Sequence, residues 1–206
     1  MITQIIFKQR VFLSAMIILI AGSAFAQKND FYAKSIKAYQ KNYVDTHEVV
    51  QEKKDKKYFQ FFPVSNTYNV PAYFERIFDT VGFTMNTSAG TKKYFYKYAR
   101  LDFMIDGKEC LLYVYQGKEL MQTETYKDYL FVPFTDATTG NESYGSGRYL
   151  EFYKKDIQGD SLQLDFNKAY NPNCAYATGY KCPVPPRENM LAVAIKAGEM
   201  NFGKTH

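Results

Sequence analysis

The pair Asp106-Gly107 stands between two segments rich in aromatic and branched residues, Lys93 to Ile105 and Lys108 to Gln116, and it dictates how they meet. Both residues tolerate positive φ, which a two-residue type I′ turn demands, and such a turn folds the chain back antiparallel on itself. The same character recurs after Tyr58. Short runs of Val, Ile, Phe and Tyr divided by turn residues predict further strands near Tyr68 to Ile77, Val81 to Asn86, Tyr129 to Val132, Arg148 to Tyr153, Ser161 to Phe166 and Leu191 to Lys196. Gln158-Gly159-Asp160 marks a second hairpin, between the strand from Arg148 and the strand from Ser161. No helical pattern separates successive strands and no repeat of roughly 20 to 50 residues is present, which argues against parallel βαβ folds and solenoids.

One helix precedes the strands. Tyr32, Ile36, Tyr39, Tyr43, His47 and Val50 recur at steps of three and four, so an amphipathic helix is expected over about residues 30–52, its tyrosine-rich stripe docked on the domain. The fold class is therefore mainly β: an antiparallel sandwich or barrel-like sheet with one N-terminal amphipathic helix.

The first 26 residues have the pattern of a secretory signal, with Lys8 and Arg10 ahead of an apolar run from Val11 to Ala21 and a small-x-small site at Ala24-Phe25-Ala26. That run is shorter than the roughly 20 apolar residues a membrane span requires. Cleavage would leave residues 27–206 as a single domain, soluble in the periplasm or outside the cell and without a span of its own. Removing Lys8 and Arg10 from the 26 basic residues leaves a small excess over 21 acids, too weak to predict nucleic-acid binding. Lysines do interleave with aromatics at Lys92 to Tyr98, but solvated strand faces produce the same pattern.

Familiar catalytic devices are missing. The chain holds two histidines, His47 on the apolar stripe and His206 at the terminus, and neither a nucleophile elbow, a phosphate loop nor a zinc-protease motif is present. Cys174 and Cys182 bracket a short loop in a chain bound for an oxidising compartment, so a disulfide is expected, with Cys110 as a small buried hydrophobe. Zinc is the weaker alternative, because seven intervening residues is not a usual ligand spacing; no metal and no cofactor is expected. A nucleophilic Cys174 also stays open. A carboxylate mechanism would draw on Asp136, Asp165 or Glu188, although each also suits a turn-capping role.

Arg148 is the anomaly. It shares strand parity with Leu150 and Phe152, which places a guanidinium toward the core, where an unpaired charge would cost several kcal/mol. It must have a carboxylate or carbonyl partner, and Asp136 and Glu188, in the flanking loops, are the first candidates.

The stretches Pro133-Phe134-Thr135-Asp136, Gly147-Arg148, Asp165-Phe166-Asn167, Tyr170-Asn171-Pro172, Cys174, Cys182-Pro183 and Pro185-Pro186 with Glu188-Asn189 resemble the signature of a bacterial family, the domain of unknown function numbered sixteen eighty-four. The resemblance covers about the last 70 residues and implies membership of that fold and an exported bacterial protein, with no catalytic residue or mechanism attached.

Two functional readings follow. The first is a non-catalytic binding module of the cell envelope, whose surface is formed by Thr135, Asp136, Arg148, Asp165, Asn167, Tyr170, Asn171, Glu188 and Asn189 and whose partner is a small molecule, a glycan or an envelope protein. The second is an envelope hydrolase that uses a carboxylate pair or Cys174. The absence of Trp weighs against sugar stacking in either.

Overall fold

The computed structural model describes residues 29–204, so the expected signal segment lies outside the described residues. Seven antiparallel strands follow a single N-terminal helix, α1 (residues 29–45). They are β1 (Asn69–Arg76), β2 (Phe83–Asn86), β3 (Lys92–Ile105), β4 (Lys108–Gly117), β5 (Tyr129–Phe134), β6 (Arg148–Tyr153) and β7 (Ser161–Asp165). The sheet curls into a half-barrel in the order β6-β5-β4-β3-β1-β7, with β2 paired to β3. Asp106 and Gly107 both take positive φ, 48° and 74°, at the tip of the β3–β4 hairpin, as the type I′ turn requires.

The half-barrel has two faces because β3 carries a bulge. Lys97 pairs with Tyr115 and Ala99 with Val114, so Tyr98 is the extra residue and the parity of the strand reverses there. After the bulge, Ala99, Leu101, Phe103 and Ile105 face the inner core with Leu112, Val114, Leu130 and Val132. Before it, Phe95 faces outward, where it joins Met85, Tyr115, Phe131 and Tyr149 in a second cluster.

Three expectations need correction. The turn at Gln158–Asp160 forms, with the Ser161 N–H donating to the Gln158 carbonyl, but β6 and β7 do not pair. The short helical turn Lys154–Asp156, held by the Tyr153 N–H donating to the Asp156 carboxylate, redirects the chain, and β7 pairs with β1. The two strands become opposite edges of the half-barrel, yet Leu150, Leu162 and Leu164 still share its core. The gap between those edges is bounded by α1, which is held by the Tyr32 hydroxyl donating to Asp165 at 2.8 Å and by the burial of Ile36.

Second, α1 ends at residue 45 rather than near 52. The His47 ring nitrogen accepts the N–H groups of Val49 and Val50, which ends the helical ladder, while Val50 remains buried against Ala175 and Tyr176. The stripe reported burial beyond the helix itself.

Third, Leu191 to Lys196 is not a strand. Its alternation is real, since Leu191, Val193, Ile195 and Ala197 are all buried in the core, but its backbone is bonded mostly by side chains and loops. The Ile195 N–H donates to Asp136, and the carbonyl of Val193 accepts the Ala137 N–H. The next carbonyls belong to Arg148.

Candidate functional site

Arg148 opens β6 with its side chain inside the half-barrel and 1% exposed. Its guanidinium donates to the Asp136 carboxylate at 2.7 Å, to the carbonyls of Ile195 (2.8 Å), Ala197 (2.5 Å) and Glu199 (3.1 Å), and to the Thr138 hydroxyl at 3.4 Å. Alternate carbonyls of an extended segment point the same way, so one planar fork serves all three. Gly147 sets the entry to β6: its φ is +86° and a Cβ there would lie 2.5 Å from the Phe134 carbonyl oxygen. Arg148 thus replaces a neighbouring strand for the segment 195–199.

Glu199, which ends that segment, is fully buried. It takes up the Asn171 N–H at 2.9 Å and the hydroxyls of Tyr176 at 2.7 Å and Tyr43 at 3.3 Å. Burial is the main influence on its carboxyl, which is pushed up from 4.5 to about 7. Between those two values the folded chain retains a proton that the unfolded chain has lost. Stability should therefore decline as pH rises through that window and level off above about 7, a loss on the order of 3 kcal/mol. His47, lowered to about 4 mainly by burial, acts in the opposite sense over an overlapping range, so the comparison must be against Glu199→Gln. Urea denaturation at about pH 5 and about pH 8 should show wild type losing stability relative to that variant; parallel behaviour would remove Glu199 from this role.

Two asparagine side chains act as surrogate peptide groups. Asn189 accepts the Tyr113 N–H at 2.7 Å and donates to the carbonyls of Tyr113 and Pro133. It sits where β4 and β5 part company, which leaves Tyr115–Phe131 as the single register pair between those strands. Asn167 likewise accepts the Ser65 N–H and donates to the Ser65 carbonyl, and its carboxamide also meets Tyr32 and Asp165.

The polar residues proposed from the sequence are thereby distributed over several places. Asp136 joins Arg148; Asp165 joins Tyr32 and Asn167; Glu188 takes the Tyr115 hydroxyl at 2.7 Å and pairs with Lys97 at 2.7 Å. Thr135 exchanges backbone bonds with Asn189 and Leu191, and Asn171 donates to the Met200 carbonyl. The three carboxylates share no partner, and the Asp136 side chain is closed to solvent. Tyr170 is placed differently, at the margin of a cleft.

That cleft lies on the outer face of the sheet. Its volume is about 350 Å³, with Phe95, Phe131 and Tyr149 beneath it and Tyr129 and Tyr170 along one side. The opposite wall is the segment from Tyr180 to Pro183, closed by the Cys174–Cys182 disulfide. Ser88 N–H donates to the Cys182 carbonyl, Val184 N–H to the Asn86 carbonyl, and the Tyr149 hydroxyl to the Pro183 carbonyl, so the wall is clipped to the sheet at three points. The loop from Asn167 to Asn189 is thus a built boundary of the cleft. A larger space of about 640 Å³ lies between α1 and the β6 and β7 edges, but Asp165, Asp156 and Glu151, the acids that line it, already accept hydrogen bonds from the protein.

Sequence reasoning missed Glu199 and the cleft. Glu199 shares the parity of Leu191, Val193, Ile195 and Ala197, so the anomaly that singled out Arg148 was available for it too. The cleft was hidden by the bulge at Tyr98, because parity counted straight through β3 puts Phe95 and Ala99 on one face.

A curled antiparallel half-barrel, braced inside by a buried arginine and carrying an aromatic cleft under a disulfide-closed loop, defines the class of this protein. Residues 54–200 match the family described as "Protein of unknown function (DUF1684)", and the chain belongs to that family. Among solved structures it is similar to an uncharacterized protein of Haloarcula marismortui determined in solution by NMR, with a TM-score of 0.63 and 29% sequence identity, over 84% of this chain and 96% of the other. No functionally curated protein matches it.

Proposed function

We propose that this protein is a non-catalytic binding module of the cell envelope and that it holds a small molecule in the cleft over Phe95, Phe131 and Tyr149. One observation carries the reading: an apolar aromatic floor faces a wall fixed by a disulfide and three hydrogen bonds, so the cavity is pre-formed. Its volume suits a small ligand better than a protein surface. On this reading Tyr170 borders the ligand, while Thr135, Asp136, Arg148, Asp165, Asn167, Asn171, Glu188 and Asn189 contribute by holding the sheet and loop that shape the cleft. The hydrolase alternative is less well supported, because Cys174 is bonded to Cys182 and Asp136 is sealed against Arg148.

Export rests on the leader-like first 26 residues and agrees with a disulfide, a bond favoured in oxidising compartments. Among the described residues no helix is long and apolar enough to cross a membrane.

The cleft can be blocked from one backbone position. Gly117 lines it, and a Cβ there would meet Phe95 and Leu120 at an ordinary 3.5 Å, so the longer side chain of Gly117→Leu is expected to extend into the cavity, with circular dichroism checking that the variant folds. In a thermal-shift screen of phenol, benzoate, indole and cyclohexanol, at least one compound should stabilise wild type and fail to stabilise the variant. Equal responses of the two proteins to every compound would refute the assignment.

A further inference from the structure

The cleft is apolar at its base and basic at its mouth. Lys93 and Lys181 both line it, one from β3 and the other from the disulfide-closed wall. A third lysine, Lys118, stands with its ammonium 5.0 Å from the ring of Tyr94, another lining residue. Among the described residues none of these three forms an ion pair, whereas Lys97, Lys127, Lys154, Lys196 and Lys204 all do. Glu119 is the one acid along the lining. Positive charge left unpaired beside a desolvated aromatic floor is placed to meet an anion.

The far end has the opposite character. Tyr129 and Tyr170 both donate their hydroxyls to one oxygen of Glu151, at 3.0 and 3.1 Å, on β6. Lys93 on β3 and Glu151 on β6 are three strands apart, roughly 14 Å at the usual strand spacing. That exceeds the screening length of about 8 Å at physiological salt, so Glu151 does not cancel the basic end. The floor between them is a row of rings: Phe95 stacks with Phe131 at a centroid distance of 5.9 Å, and Phe131 meets Tyr149 edge-on at 4.7 Å.

Building on the binding reading above, we infer that the cleft selects amphipathic anions: molecules with a flat apolar body lying over Phe95, Phe131 and Tyr149 and an acidic head held by Lys93 and Lys181. The charge fixes orientation, with the head at the β3 end and the apolar body pointing toward β6. Neutral aromatics of the same shape are admitted with lower affinity, and aromatic cations are disfavoured.

Anilinonaphthalene sulfonate has this architecture, and its fluorescence reports entry into an apolar site. Titration into the wild-type protein should give saturable binding that weakens as salt is raised. Lys93→Gln with Lys181→Gln, both exposed positions, should weaken binding by about tenfold per lysine, the usual scale for a charge-assisted hydrogen bond. Lys93→Arg with Lys181→Arg should retain most of it, and circular dichroism should find both variants folded. Phenylnaphthylamine, which has the apolar body without the sulfonate, should bind wild type and the Gln variant equally. If the sulfonate binds the Gln variant as tightly as wild type, yet Gly117→Leu abolishes binding, the cleft reading stands and the anion selectivity is overturned. If Gly117→Leu leaves sulfonate binding unchanged, both fall.

Discussion

Replacing Arg148 by Met should destabilise the protein by about 3 to 5 kcal/mol, the range for removing one partner of a buried ion pair. Met keeps much of the aliphatic stem but removes the fork, leaving the Asp136 carboxylate and the carbonyls of Ile195, Ala197 and Glu199 without their donor. A second variant separates the ion pair from the hub. Replacing both members of an ordinary buried pair by apolar residues is often close to neutral. Here Arg148→Met with Asp136→Leu still strands three carbonyls, and it also removes the acceptor for the Thr138 and Ile195 N–H groups. The double variant should therefore remain as destabilised as the single one. Urea denaturation measures both; a loss below about 1 kcal/mol for Arg148→Met would show that the guanidinium braces nothing.

Asn189→Asp should be nearly as damaging, at about 3 kcal/mol or more, although it changes little in volume. The carboxamide supplies one acceptor and two donors to backbone groups of Tyr113 and Pro133. A carboxylate keeps the acceptor and turns the donor end into a charge facing two carbonyl oxygens. Asn189→Ala loses the acceptor as well as both donors but sets no charge against those carbonyls, so Asp should still be the worse of the two. If Asp is tolerated better than Ala, the side chain is not acting as a peptide group between β4 and β5. Asn189 is also the C-terminal post of the cleft loop, so the loss should reach the wall of the cleft.

The antiparallel sheet was legible because its signals are local. Asp106-Gly107 needs only its own φ preferences to form a hairpin, and alternating apolar residues mark a strand before any partner is known. Arg148 could be assigned to the interior by the same parity, and Asp136 meets it there. What the chain concealed was set by distant partners. The residues from Leu191 alternate as a strand does, but a guanidinium provides what a neighbouring strand would have given. Gln158 to Asp160 turns as expected, yet which strand β7 then joins depends on β1, some ninety positions earlier. The outer cleft depends on one unpaired residue, Tyr98, whose bulge shows no mark in composition. Asn167 and Asn189 read as loop polarity, and only their facing backbone groups show why a carboxamide is needed at each.

On the proposed function, the residues that hold the half-barrel are distinct from the aromatic surface that meets a ligand, and an amide chemical-shift map with benzoate tests that separation most directly. Benzoate pairs a flat ring with a carboxylate, the chemistry proposed for a ligand of the cleft. The amides that move should cluster around Tyr94, Tyr129, Tyr170 and the wall from Tyr180 to Cys182, with Asp136, Arg148 and Glu199 unmoved. Shifts concentrated instead on Asp136 to Thr139 and Ile195 to Glu199 would make the buried arginine a ligand site and contradict the proposed function.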